Sequence, residues 1–147
     1  MKSSLYVVTV LISMSVAACA KSKVDQCNAF VDNATKAQTT VAALTLDSDD
    51  PTVLQKNGAD IEAAAKALGT LELKDEKLVG FHKDYTELLT NLGKIVGDLG
   101  TAAGDAKDEA KAEAATAKAN QLIENANALE KKESDLVDAI NTYCSAE

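Results

Sequence analysis

The stretch LVGFHKDYTELLTNLGKIVGDLGTAA, residues 78–103, decides the fold. Leu78, Tyr85, Leu92 and Leu99 recur every seven residues, and Phe81, Leu88, Ile95 and Ala102 repeat the spacing three places later. A seven-residue step brings a side chain back to nearly the same side of an α-helix, so the pattern predicts a long helix with one continuous apolar seam. The glycine-bearing stretch near Gly104 is expected to end it. Such a seam has to be covered, and the rest of the chain is read for what covers it.

Outward from this helix the same periodicity recurs. Before it, Leu54, Ile61 and Leu68 stand at seven-residue steps behind Asp50, an N-cap, and Pro51, a first helical residue, with Gly69 as a C′ stop. Earlier still, Cys27, Phe30, Val31, Ala34, Ala37, Val41 and Leu44 predict a helix over 24–46. The polar run 47–51 is the turn between these two helices. After the long seam, Ala115, Leu122, Leu129, Leu136 and Tyr143 predict a fourth helix over 107–143, accompanied by Ala119, Ala126 and Ile140. Glu133 interrupts that seam, as a bend, a partly wet core position or a residue rotated outward. Four amphipathic helices with short connections point to an all-α, antiparallel up-down-up-down four-helix bundle. Helices of about 25 residues make a rod of roughly 40 Å.

The N-terminus reads differently. Lys2 precedes an apolar run over 5–16, about the length of a secretory signal and too short to span a bilayer. Val16-Ala17-Ala18-Cys19 follows and resembles the lipobox of bacterial lipoproteins. The resemblance covers 1–19 and implies that 1–18 is a cleaved signal peptide and that Cys19 carries lipid. It further implies that 19–23 is a short tether and 24–147 the bundle. The membrane is then a partner through the lipid on Cys19. Ala20 and Lys21, with no Asp after the cysteine, imply an outer-membrane destination in the cell envelope by analogy with enterobacterial sorting. The chain as a whole is similar to small helical lipoproteins with a cysteine near each end of the domain, which carry no assigned activity.

With Cys19 assigned to lipid, Cys27 and Cys144 remain as an even pair in an exported chain and are expected to form a disulfide. In the antiparallel topology both lie at one pole, and a bridge over so long a loop contributes roughly 4–5 kcal/mol in the chain-entropy model. Phe30, Phe81, Tyr85 and Tyr143 fall toward that pole. Asp47, Asp49, Asp50, Asp105, Asp108 and Glu109 fall at the other.

Composition limits the function. The formal net charge is −8 and all 15 basic residues are lysine. Nucleic-acid binding wants a basic face and anion recognition leans on arginine forks, so both are disfavoured. His82 is the single histidine, and residue 79 is valine, so no Glu-x-x-His pair exists for a di-metal bundle. The acidic run near Asp49 lacks the glycine and distal glutamate of a calcium loop. No nucleophile elbow, phosphate-binding glycine loop or Cys/His pair is present, so no catalytic site, cofactor or metal is expected.

One pattern remains. Gly93, Gly97, Gly100 and Gly104 line one face of the long helix at spacings of four, three and four. Each interior helical glycine costs about 1 kcal/mol relative to alanine, so the stripe calls for a reason. It reads either as a close-approach groove for a partner helix or second copy, or as packing against a neighbouring helix of the same chain. The function expected is a non-enzymatic interaction or structural module of the envelope. A small-ligand or metal-binding bundle is the alternative.

Overall fold

Asp75 opens the long helix by accepting a hydrogen bond from the Leu78 N–H at 3.0 Å, and from there the apolar seam runs as read. The computed structural model describes residues 22–46 and 48–146; the lipobox, Cys19, Ala20, Lys21 and Asp47 lie outside them. The described residues form four helices, α1 (Lys23–Ala42), α2 (Pro51–Leu68), α3 (Glu76–Asp105) and α4 (Ala112–Ser145). Leu78, Phe81, Tyr85, Leu88, Ile95 and Ala102 of the seam are buried, and Leu92 and Leu99 are half-buried. Leu89 and Val96 are buried beside them, which widens the seam into a face broad enough for two neighbours.

Helix order follows from which residues meet. Gly93 abuts Glu62 and Gly100 abuts Pro51, so α2 and α3 run in opposite directions. Tyr85 meets Glu133 and Phe81 meets Tyr143, so α3 and α4 do likewise. Cys27 bonds to Cys144, with Cα atoms 5.8 Å apart across a sequence separation of 117, and joins α1 to the end of α4. The bundle is therefore all-α and antiparallel, with the expected disulfide at one pole.

Two clusters fill its interior. Toward the disulfide, Phe30, Ala65, Leu68, Leu78, Phe81, Tyr85, Leu89 and Ile140 pack together with Cys27. Farther down, Leu54, Ile61 and Val96 are joined by Val41, Leu44, Leu92 and Leu99. Leu54, Ile61 and Leu68, the α2 seam read from sequence, are all buried.

Three boundaries differ from expectation. Helix α1 stops at Ala42 instead of reaching Leu46, because the side-chain amide of the buried Asn57 donates to the Thr45 carbonyl at 2.9 Å and pulls the chain across α2. Helix α4 begins at Ala112 instead of Lys107. Asp108 accepts from the Ala110 N–H at 3.0 Å and Lys111 pairs with Asp105 at 3.2 Å, which folds 106–111 into a turn. Gly69 ends α2 as its C-cap with φ −59° and ψ −13°, a right-handed conformation, and not as a left-handed C′ residue.

Candidate functional site: the closed pole, a polar pin and the glycine-faced seam

The pole that carries the disulfide is tied by more than sulfur. Ser22 caps α1 in a reciprocal box with Asp25, accepting from the Asp25 N–H at 3.1 Å. Lys23 lies 4.4 Å from the centroid of the Tyr143 ring and donates to the carbonyl of Ala146. Tyr143 stands edge-on to Phe81 at 5.9 Å and donates its hydroxyl to Asp75 at 3.0 Å. Gln26, buried at the start of α1, accepts from the N–H groups of Lys74 and Asp75 at 2.7 and 2.9 Å. The first turns of α1 and α3 and the last turn of α4 thus converge on Asp75.

The charge state of that centre follows from its donors. The Leu78 N–H holds the Asp75 carboxyl below the usual carboxylate value; burial opposes this, and the Tyr143 hydroxyl adds to the lowering. The same bond to Asp75 pushes the Tyr143 hydroxyl up, since ionising it would set two anions side by side.

Midway along the bundle Glu133 is a half-buried core position and does not rotate outward. Its Oε1 accepts from the Tyr85 hydroxyl and from the Gln38 amide, each at 3.1 Å, and so pins α1, α3 and α4 together. Burial first, then the Glu133 charge, pushes the Tyr85 hydroxyl well above the ordinary tyrosine value. His82 is half-buried, stands edge-on to Phe30 at 6.1 Å, and donates its Nε2–H to the Leu68 carbonyl at 2.8 Å. It helps terminate α2 and offers no free Nε2 for acid–base work.

The glycine stripe faces α2. A Cβ on Gly93 would sit 2.8 Å from the Gly58 carbonyl, and one on Gly100 would sit 2.7 Å from the Pro51 carbonyl. Gly58 completes the seam from the other side, since its own Cβ would meet Gly93 and Gly97 backbone at 2.6 Å. Of the two readings of the stripe, packing against a neighbouring helix of the same chain holds at Gly93 and Gly100, where the close neighbour is α2. A Cβ on Gly97 would meet open space, and one on Gly104 only the Pro51 ring at 3.8 Å, so neither needs to be glycine for lack of room there.

The surface depressions are open grooves. One of about 620 Å³ runs between α3 and α4, with Asp84, Glu87, Lys132 and Asp135 around Leu88 and Leu129. Among the described residues no group of three or more His, Cys, Asp or Glu is placed to hold a metal ion. None of the described helices is long and apolar enough to cross a membrane.

Sequence reading singled out Cys27, Cys144 and Glu133, which the structure brings into the two ties. It missed Gln26, Gln38, Asn57 and Gly58. The first three are polar residues whose partners are remote in sequence and leave no local pattern. Gly58 did carry a signal, an isolated glycine within an alanine-rich helix. Compared with protein-family models, with curated proteins and with solved structures, the chain matches none.

Proposed function

We propose that the chain is a lipid-anchored, non-enzymatic helical module of the bacterial cell envelope, held end-on and acting by contact with a protein partner or by spacing. The observation that carries this reading is the position of Ser22. It caps α1 at the closed pole, beside the disulfide and the last turn of α4. Ser22 stands three residues after Cys19, so extended chain keeps a lipid on Cys19 within about 10 Å of that pole. The turns at 48–50 and 106–111 then point away from the bilayer. The acidic balance supports the same posture, because an acidic surface is not drawn flat onto anionic lipid. By analogy with enterobacterial sorting, Ala20 and Lys21 favour the outer membrane.

The test is metabolic labelling with an alkyne fatty acid in a bacterial host, together with membrane fractionation. Wild-type protein takes up label and sediments with membranes, while Cys19→Ala loses both properties. An unlabelled wild type, or label that survives Cys19→Ala, overturns the anchor. A photo-crosslinker at Glu109 in intact cells tests the mode of action: one consistent adduct supports a partner, and its absence leaves spacing as the role.

A further inference from the structure

We propose that the Cys27–Cys144 bond is a redox-operated clasp on the C-terminal half of α4, and that its reduction by a dithiol releases this arm from a core of α1, α2 and α3 that stays folded. The inference rests on the fold and not on the lipid anchor.

The helices are unequally held. Helices α2 and α3 meet backbone to backbone at Gly58, Gly93 and Gly100. Helix α1 and the turn that follows it are fixed to them by Phe30 and Ala37, both buried, by Val41 and, past the helix end, Leu44 on the lower cluster, and by the polar ties of Gln26 and of Asn57 with Thr45. Helix α4 is different. Over its whole length only Ala115, Leu122 and Ile140 are buried, and the first two lie in its N-terminal half. Beyond Leu129 the arm is held by Ile140, half-buried Leu136, Val137 and Tyr143, the Glu133 pin and the disulfide. Against α1 it makes the disulfide, the Gln38–Glu133 bond, the Lys23–Ala146 bond and the contact of Lys23 with the Tyr143 ring, and at the head of α3 the Tyr143 hydroxyl bonds to Asp75. With the covalent tie gone, few buried apolar contacts remain, which is the physical signature of a unit that opens below the global unfolding free energy.

Access to the sulfurs is asymmetric: Cys27 is 4% exposed and Cys144 is half-buried. One thiolate of the dithiol attacks Cys144 Sγ, forms a mixed disulfide and expels Cys27 as its thiolate, which takes up a proton. The second thiol of the reductant, deprotonated, then displaces Cys144 as its thiolate, which is protonated in turn. Two electrons pass to the protein disulfide, which ends as two thiols, and the reductant ends as a cyclic disulfide. Detachment of the arm uncovers Phe81, Tyr85 and Cys27.

Hydrogen–deuterium exchange of the purified full-length protein, with and without dithiothreitol, tests the clasp. Reduction is expected to lower protection of α4 beyond Leu129 by about tenfold or more while α2 and α3 keep theirs. After reduction, Cys27 is expected to alkylate as fast as Cys144. The double variant Cys27→Ser with Cys144→Ser, without reductant, is expected to give the same exchange pattern. Unchanged protection of the arm overturns the proposal, because the noncovalent contacts then suffice. Simultaneous loss across all four helices also overturns it, because the bond then holds the whole domain and not one arm.

Discussion

The Tyr85 hydroxyl of α3 donates to the carboxylate of Glu133 on α4 at 3.1 Å, where the apolar seam of α4 breaks. Tyr85 is 1% exposed, so Glu133 is the acceptor that makes its burial tolerable. Glu133→Leu therefore does not simply repair the seam. It strands a buried hydroxyl and is expected to cost about 1–3 kcal/mol, and Tyr85→Phe about 1 kcal/mol. The double variant removes both partners and should lose less than the sum of the two. Urea unfolding of the four proteins in the cycle measures this; strict additivity would show that the bond contributes nothing.

The glycines divide by what a methyl group would meet. Gly58→Ala drives Cβ into α3 backbone and is expected to destabilise by about 1–3 kcal/mol. Gly97→Ala and Gly80→Ala meet nothing within 4 Å and should stabilise by about 0.5–1 kcal/mol each through helix propensity alone. Thermal melts separate the two groups. Sedimentation of Gly97→Ala should match wild type, whereas a shift in its oligomeric state would return the stripe to an intermolecular role.

The tyrosines give the fold an alkaline edge. Tyr85 and Tyr143 both have hydroxyls pushed above their unfolded value of 10.0. Their stabilisation is thus complete below about pH 10 and is lost as pH rises through the folded values. The Asp75 carboxyl is held below its unfolded value of 3.8, so its contribution is present above that value and lost as pH falls through the folded one. Melts between pH 8 and 12 are expected to fall above about pH 10 in wild type and less steeply in Tyr85→Phe. Phenolate absorbance should rise together with unfolding, and an earlier rise would argue against the buried pair.

Gln26 is the residue most easily mistaken for surface. Gln26→Leu removes the acceptor of two backbone N–H groups, Lys74 and Asp75, and is expected to cost about 1–3 kcal/mol. Amide exchange at 70–75 should quicken ahead of global unfolding. If those amides stay as protected as before, another acceptor has replaced the glutamine.

Much of the architecture is local in origin and so could be read in advance. The heptads of α3, the steps of α2 and the Asp50–Pro51 start each depend on residues within a few turns of one another. The end of α1 was not legible, because 43–46 holds no helix breaker and the stop comes from Asn57 across the bundle. The start of α4 was hidden for a similar reason: 107–111 has good helix formers, and the turn is set by Asp105 and Asp108 side chains. The stripe in α3 was visible as a face, but its covering depends on the register that puts Gly58 opposite Gly93. Glu133 was visible as an interruption whose meaning needed Tyr85 and Gln38 beside it.

The Lys23–Ala146 hydrogen bond has a practical consequence for anyone who handles this protein. Both ends of the described chain come to the same pole, so a fluorophore or affinity tag joined at either one reports on that pole alone. The 106–111 turn lies at the far end of the rod, between two helices, and from Lys107 to Lys111 its residues are exposed. It is the place to insert an epitope when the opposite face is to be seen, and a linker from 146 to 22 would yield a circular permutant opened there with little rerouting of the backbone.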